Sequence, residues 1–164
     1  MNEITHFNED GRAHMVDVTE KEKTKRKAIA GADVYLNAKT LQKITDKNVS
    51  KGDVFAVAEI AGIMAAKRTA EMIPLCHPVF LSGASITFTP VKECGCIKIE
   101  AMVSCTGETG VEMEALTAVS MAALTIYDMC KSIQRDITIS NVRLLHKSGG
   151  KSGIYQAPLD PVEV

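Results

Sequence analysis

At 164 residues the chain is sized for one domain, and 46% apolar against 24% charged residues is the balance of a folded, soluble protein. Aromatic residues make up only 4%, with no Trp, so the core must be built from Ala, Val, Ile, Leu and Met. A net charge of −1 gives no global attraction to nucleic acid, and the few aromatics leave little for base stacking, so any anion site must be local. No apolar run is long enough to span a membrane, and the start lacks a signal-peptide pattern. Five Cys, an odd number at irregular spacing, read as reduced thiols of a cytosolic protein.

Residues 1–20 read as an irregular, flexible lead, with a short extended piece at 14–18 and Thr19 as a candidate cap. A charge-rich run from Lys21 leads into alternation from Lys25, which predicts a long strand over 24–36. Asn37 or Lys39-Thr40 starts a short helix through Leu41 and Ile44. After the loop Ser50-Lys51-Gly52-Asp53, residues 54–72 are rich in Ala, Val, Ile and Met and predict one long helix. Pro74 and Pro78 make 73–78 a rigid loop. Strands over 85–91 and 96–105, joined by a turn at 92–95, form an antiparallel hairpin.

A helix starting near Gly110 then runs toward residue 134, with Glu112 and Glu114 in its first turn, where the helix dipole favours negative charge. Leu116, Val119, Ala123, Ile126, Cys130 and Ile133 share one face; Met121, Leu124, Asp128 and Lys131 fall on the roughly opposite side. That second side is too apolar for open solvent, which implies a cover from another subunit. A last strand over 136–146 precedes a Gly/Ser-rich tail, expected to be flexible over 148–164. The order strand, two helices, hairpin, helix, strand is an α+β, ferredoxin-like β-α-β-β-α-β sandwich with an extra helix, an antiparallel sheet and its helices on one face, in a single domain over 1–164.

Several groups carry candidate chemistry. Asp128 and Lys131 stand three apart on one helix face, which suits either a shared ligand or an exposed ion pair. Lys51 precedes a helix entrance, where partial positive charge favours an anion. Cys76-His77 sits in the proline-bounded loop; adjacent residues seldom align for proton transfer, so the loop reads as a shaped binding element or plain structure. The turn 106–114 has two glycines and three acids, suited to accept hydrogen bonds from amino or guanidine-like groups. Gly150-Lys151-Ser152 ends like a phosphate-binding loop, but Leu145 stands where that motif needs Gly, so what remains is a flexible segment with Lys147 and Lys151. Cys94-Gly95-Cys96 has no His near it and makes a poor metal site, and no metal ligands are assigned.

Together, Ser50-Lys51-Gly52-Asp53-Val54, Lys67-Arg68, Ile73 to Pro78 (IPLCHP), 106–116 (TGETGVEMEAL), 124–131 (LTIYDMCK), 147–153 (KSGGKSG) and His14 to Val18 resemble the cyclic pyranopterin monophosphate synthases, the molybdenum cofactor biosynthesis protein C family. The resemblance covers about residues 5–153 and leaves out Cys94, Cys96 and the last ten residues. It implies a cytoplasmic lyase that rearranges a cyclised dihydro-GTP to cyclic pyranopterin monophosphate and releases pyrophosphate. It implies catalytic roles for Asp128, Lys131 and Lys51, and substrate contacts from Leu75, Cys76, His77, Met113, Glu114 and Glu112. Arg26, Lys67, Lys147 and Lys151 would hold the triphosphate. It further implies a homohexamer, a trimer of dimers with sites between subunits, no prosthetic group, and at most Mg²⁺ carried by the triphosphate. A Lys131 partly buried beside other cations is expected to have a lowered pKa. The competing reading is a non-catalytic nucleotide-binding regulatory module on the same fold.

Overall fold

The structure, a computed structural model, describes residue 10 and residues 12–158. In β1 (Thr24–Tyr35) Ala28, Ala30, Ala32 and Val34 turn to one buried face, with Ile29, Gly31 and Asp33 between them. β3 (Cys96–Gly107) answers in register: Val103 opposes Ala28, Ala101 opposes Ala30, Ile99 opposes Ala32 and Ile97 opposes Val34. β2 (Leu81–Val91) pairs with β3, β4 (Thr138–Ser148) with the other edge of β1, and β5 (Tyr155–Gln156) with β4. The sheet order is β2-β3-β1-β4-β5, antiparallel throughout. This is the expected ferredoxin-like arrangement, with α1 (Ala38–Thr45) as the extra helix and a further strand at the edge.

The helical layer is α2 (Val54–Lys67) and α4 (Glu112–Cys130). Val119, Ala123, Ile126 and Cys130 are buried, as their spacing required, while Leu116 and Ile133 are only partly covered. Neighbouring small residues let α2 come close. A Cβ added to Gly62 would overlap the Ile86 side chain and lie 2.8 Å from the Ala118 carbonyl oxygen. Phe55 of α2 stacks on Phe88 of β2 with ring centroids 4.9 Å apart. Met121 is half-buried and Leu124 is exposed, so the second side expected from the sequence is only partly covered among the described residues.

Several boundaries differ from the sequence pattern. The helix expected over 54–72 breaks at Arg68 and resumes as the single turn α3 (Thr69–Met72). The Thr69 hydroxyl donates to the carbonyls of Ala65 and Ala66, a local bond that competes with the regular ladder. β2 starts at Leu81, ahead of the expected 85, because an irregularity between Leu81 and Gly83 hides its alternation. α4 ends at Cys130, so Lys131 sits just past it as the cap residue. No helix follows Thr19; its N–H and hydroxyl donate to Asp17 Oδ1 at 2.9 and 2.6 Å.

The tail also departs from expectation. β4 runs on to Ser148, then Gly149, Gly150 and Gly153 take positive φ and turn the chain back to form β5. The Ala157 N–H donates to the Leu145 carbonyl at 2.8 Å. The far ends of the expected flexible segments, 1–9 and 159–164, lie outside the described residues. Among the described residues no helix is long and apolar enough to cross a membrane.

Substituting Gly62→Val should test the close helix contact, since it adds bulk against the Ala118 backbone. Overpacking of this kind costs about 1–3 kcal/mol. Urea unfolding should show the loss; an unchanged midpoint would mean that α2 and α4 have room between them.

Candidate active site

α2 and α4 run antiparallel, so each end of α4 meets a different loop. At the α4 N-terminus, Met113 and Glu114 face the proline-bounded loop, and with Leu75, Cys76, His77, Val79, Thr109 and Gly110 they line a pocket of about 300 Å³. The lead segment closes it: Val16, Val18 and Lys21 supply one wall, and the His77 Nε2–H donates to the Val16 carbonyl at 2.7 Å. Glu114 is buried. Burial holds its carboxyl above the usual range, against the favourable bond to its own backbone N–H, and the nearby Glu112 adds to the rise. Burial also pushes the Cys76 thiol up, so it is a poor nucleophile and serves as part of the wall.

Beside this pocket lies a basic cavity of about 490 Å³, lined by Lys21, Glu22, Thr24, Arg26, Gly150, Lys151 and Ser152. Arg26 is clamped there by donating to the carbonyls of Gly107 and Glu108, both at 2.8 Å. Lys147 pairs with Glu112 at 3.0 Å and donates to the Ser152 hydroxyl at 3.1 Å. Gly150 has no Cβ because the Arg26 guanidinium occupies that space. The turn expected to be loose is therefore a shaped wall with three cations around it.

At the other end of α4 a second constellation forms. Asp128 Oδ1 accepts from Lys131 Nζ at 2.7 Å, and Oδ2 accepts from Lys51 Nζ at 3.1 Å. Lys51 also donates to the Asp128 carbonyl at 2.7 Å, placing a cation at the negative end of the helix. The Lys51 turn is held by a Gly52-to-Val49 backbone bond, and Asp53 caps α2 by accepting from Ala56 N–H. Lys131, then Lys51, holds the Asp128 carboxyl below its ordinary value, and Asp128 raises the Lys131 ammonium. The lowered Lys131 pKa expected from the sequence is thus reversed: its nearest charge is an anion, and all three side chains are largely open to solvent.

The structure brings the predicted residues together in two groups. Leu75, Cys76, His77, Met113 and Glu114 share the first pocket, with Glu112, Arg26, Lys147 and Lys151 around the adjoining basic cavity. Asp128, Lys131 and Lys51 form the distant triad. Glu114 and Asp128 are fourteen residues apart on one helix, or about 21 Å at roughly 1.5 Å per residue. Lys67 ends α2 and lines neither cavity. Residue-by-residue reading missed Val18, Lys21, Thr109 and Gly110 as pocket walls; the His77–Val16 contact spans 61 positions and leaves no local trace. Among the described residues no three His, Cys, Asp or Glu side chains converge as metal ligands. Cys94 is exposed and Cys96 buried, the latter pushed up to about 11 by burial.

The buried carboxylate pocket, the Lys-Asp-Lys triad and, apart from Lys151 and Ser152, the basic cavity fall inside one family match: the MoaC family model covers residues 15–150. The chain belongs to the MoaC family. It is 56% identical over 153 residues to a curated protein of Thermoanaerobacter sp. (strain X514), covering 93% of this chain and 97% of that one. Relatives from Pelotomaculum thermopropionicum (54% over 156 residues; 95% and 92% of the two chains) and Chloroflexus aurantiacus (56% over 157 residues; 96% of each) are equally extensive. All three are named cyclic pyranopterin monophosphate synthase.

Glu114 offers a test of the pocket's electrostatics. Its raised value means that its contribution to stability is fully present below the ordinary carboxylate range and is lost as pH rises through the Glu114 value. Glu114→Gln should therefore be more stable than the parent at neutral pH, with the gap closing in acid. Guanidinium unfolding across that range measures it; equal stability at every pH would place the carboxylate in water.

Proposed function

We infer that this chain is a lyase of molybdenum cofactor biosynthesis, converting a cyclised dihydro-GTP to cyclic pyranopterin monophosphate with release of pyrophosphate. The observation that carries the reading is its family membership, through curated relatives of one name that align along nearly the whole chain. The geometry supplies what such chemistry needs. A guanine-type ring edge presents N–H donors, and Glu114, with Glu112 nearby, presents acceptors in a pocket walled by Leu75, Cys76, His77 and Met113. Arg26, Lys147 and Lys151, with Lys67 at the same end, offset the charge of the triphosphate. Ring opening and reclosure need proton transfers. In the final step a sugar hydroxyl attacks the α-phosphate, the bond to the β-phosphate breaks, and pyrophosphate leaves with the electron pair. Asp128, Lys131 and Lys51 are the side chains available to exchange those protons.

Such steps need reacting groups within about 3–3.5 Å of each other. In one chain the triad stands about 21 Å along α4 from Glu114. We therefore propose that a working site takes its ring pocket from one copy and its Lys51–Asp128–Lys131 triad from another, in a homohexamer built as a trimer of dimers. Exposed Val57, Ile60 and Met64 on α2, spaced along one face, and exposed Leu124 on α4 are apolar surface for that contact. The reading places the enzyme in the cytoplasm and calls on no prosthetic group; Mg²⁺ would enter only on the triphosphate's own oxygens.

The test is incubation with cyclised dihydro-GTP, following pyrophosphate and pyranopterin together. Wild-type protein should release both in equal amounts. Asp128→Ala and Lys131→Ala should keep the fold and the assembly, since both side chains are exposed, and lose turnover by a factor of roughly 100 or more, the usual range for a removed acid–base group. Ligand binding without products in the wild type would favour the regulatory alternative.

A further inference from the structure

The ring pocket and the basic cavity share one side chain. Lys21 lines both, and among the described residues no other does. Its position is fixed from outside its own segment. The His77–Val16 bond pins the chain, Val16 and Val18 pack as pocket wall, and the Lys21 N–H closes a turn onto the Val18 carbonyl at 2.9 Å. Arg26 and Lys147 spend donors on protein carbonyls, on Glu112 and on Ser152. Lys21 has no side-chain ion pair or hydrogen bond among the described residues, which leaves its ammonium for a ligand.

We propose that Lys21 binds the first phosphate of the nucleotide, the one joined to the sugar. The proposal rests on the lyase reading and adds a residue to it. A nucleotide carries its ring at one end and its distal phosphates at the other, with the first phosphate between. A ligand seated in both cavities must lay that phosphate across their shared wall, where Lys21 stands. The same atom is attacked in the cyclisation, so the ammonium offsets charge as it builds on the phosphate oxygens. His77, through Val16, is the residue that positions this segment.

Calorimetric binding of guanosine, guanosine monophosphate and GTP to the intact assembly separates the cavities. Wild-type protein should gain affinity at each added group of phosphates. Lys21→Ala should remove the gain from guanosine to the monophosphate, roughly tenfold for one charged hydrogen bond, beyond any change it makes to guanosine binding as a wall of the ring pocket. Lys21→Arg should restore most of it, whereas Lys151→Ala should lose the gain from monophosphate to triphosphate instead. An undiminished guanosine-to-monophosphate gain in Lys21→Ala overturns the assignment, and does so alone if the wild type still turns over cyclised dihydro-GTP. A wild-type protein that gains nothing from any phosphate and makes no pyranopterin overturns the assignment and the lyase reading together.

Discussion

The close antiparallel contact between α2 and α4 decides the layout of everything polar in this protein. Gly62 lies against the Ala118 backbone, with Ala122 next to it, so the two helices meet almost without side chains between them. The loop entering α2 must then arrive at the C-terminal end of α4, and the loop leaving it must arrive at the N-terminal end. That is why Lys51 reaches Asp128 and why Leu75, Cys76 and His77 reach Met113 and Glu114. The sheet adds the third element. β1 and β4 run side by side, so Arg26 and Lys147 emerge together beside the acidic turn that follows β3.

One helix thus carries two carboxylates in opposite environments. Glu114 is buried and held toward its neutral form by desolvation. Asp128 is exposed and held as an anion by two ammonium groups. Environment alone sets them apart, since the two side chains belong to the same chemical class. A buried acceptor suits recognition of ring N–H groups, and a solvent-facing ion pair suits proton exchange. The separation between them, set by helical rise, is what requires a second chain in the proposed site.

Much of this was legible in the sequence. Alternation from Lys25 and the three-and-four spacing from Leu116 marked β1 and the buried face of α4, because each reports burial on one side of a regular element. The long contiguous motifs carried the family, and with it the candidate site residues. What escaped was whatever depends on distant partners. An irregularity between Leu81 and Gly83 disturbs the alternation at the start of β2, and composition does not reveal the Thr69 hydroxyl bonding backward where α2 breaks at Arg68. The tail looked flexible by composition, yet its glycines shape a return to β5 against the Arg26 guanidinium. Lys131 was expected to lose its proton easily; the anion three residues away reverses that. Lys21 has no motif of its own in the sequence, and only the two cavities draw it out.

The central claim is that the ring-binding half and the proton-transfer half of each site come from different copies of the chain. Co-assembly of two inactive variants, Glu114→Ala and Asp128→Ala, tests it most directly. The account predicts that the mixed assembly regains pyranopterin synthesis, because some sites then pair an intact pocket with an intact triad. A mixture of Lys51→Ala with Asp128→Ala should stay inactive, because those residues meet within one chain. Mixed Glu114→Ala and Asp128→Ala assemblies as inactive as their parents would contradict the account.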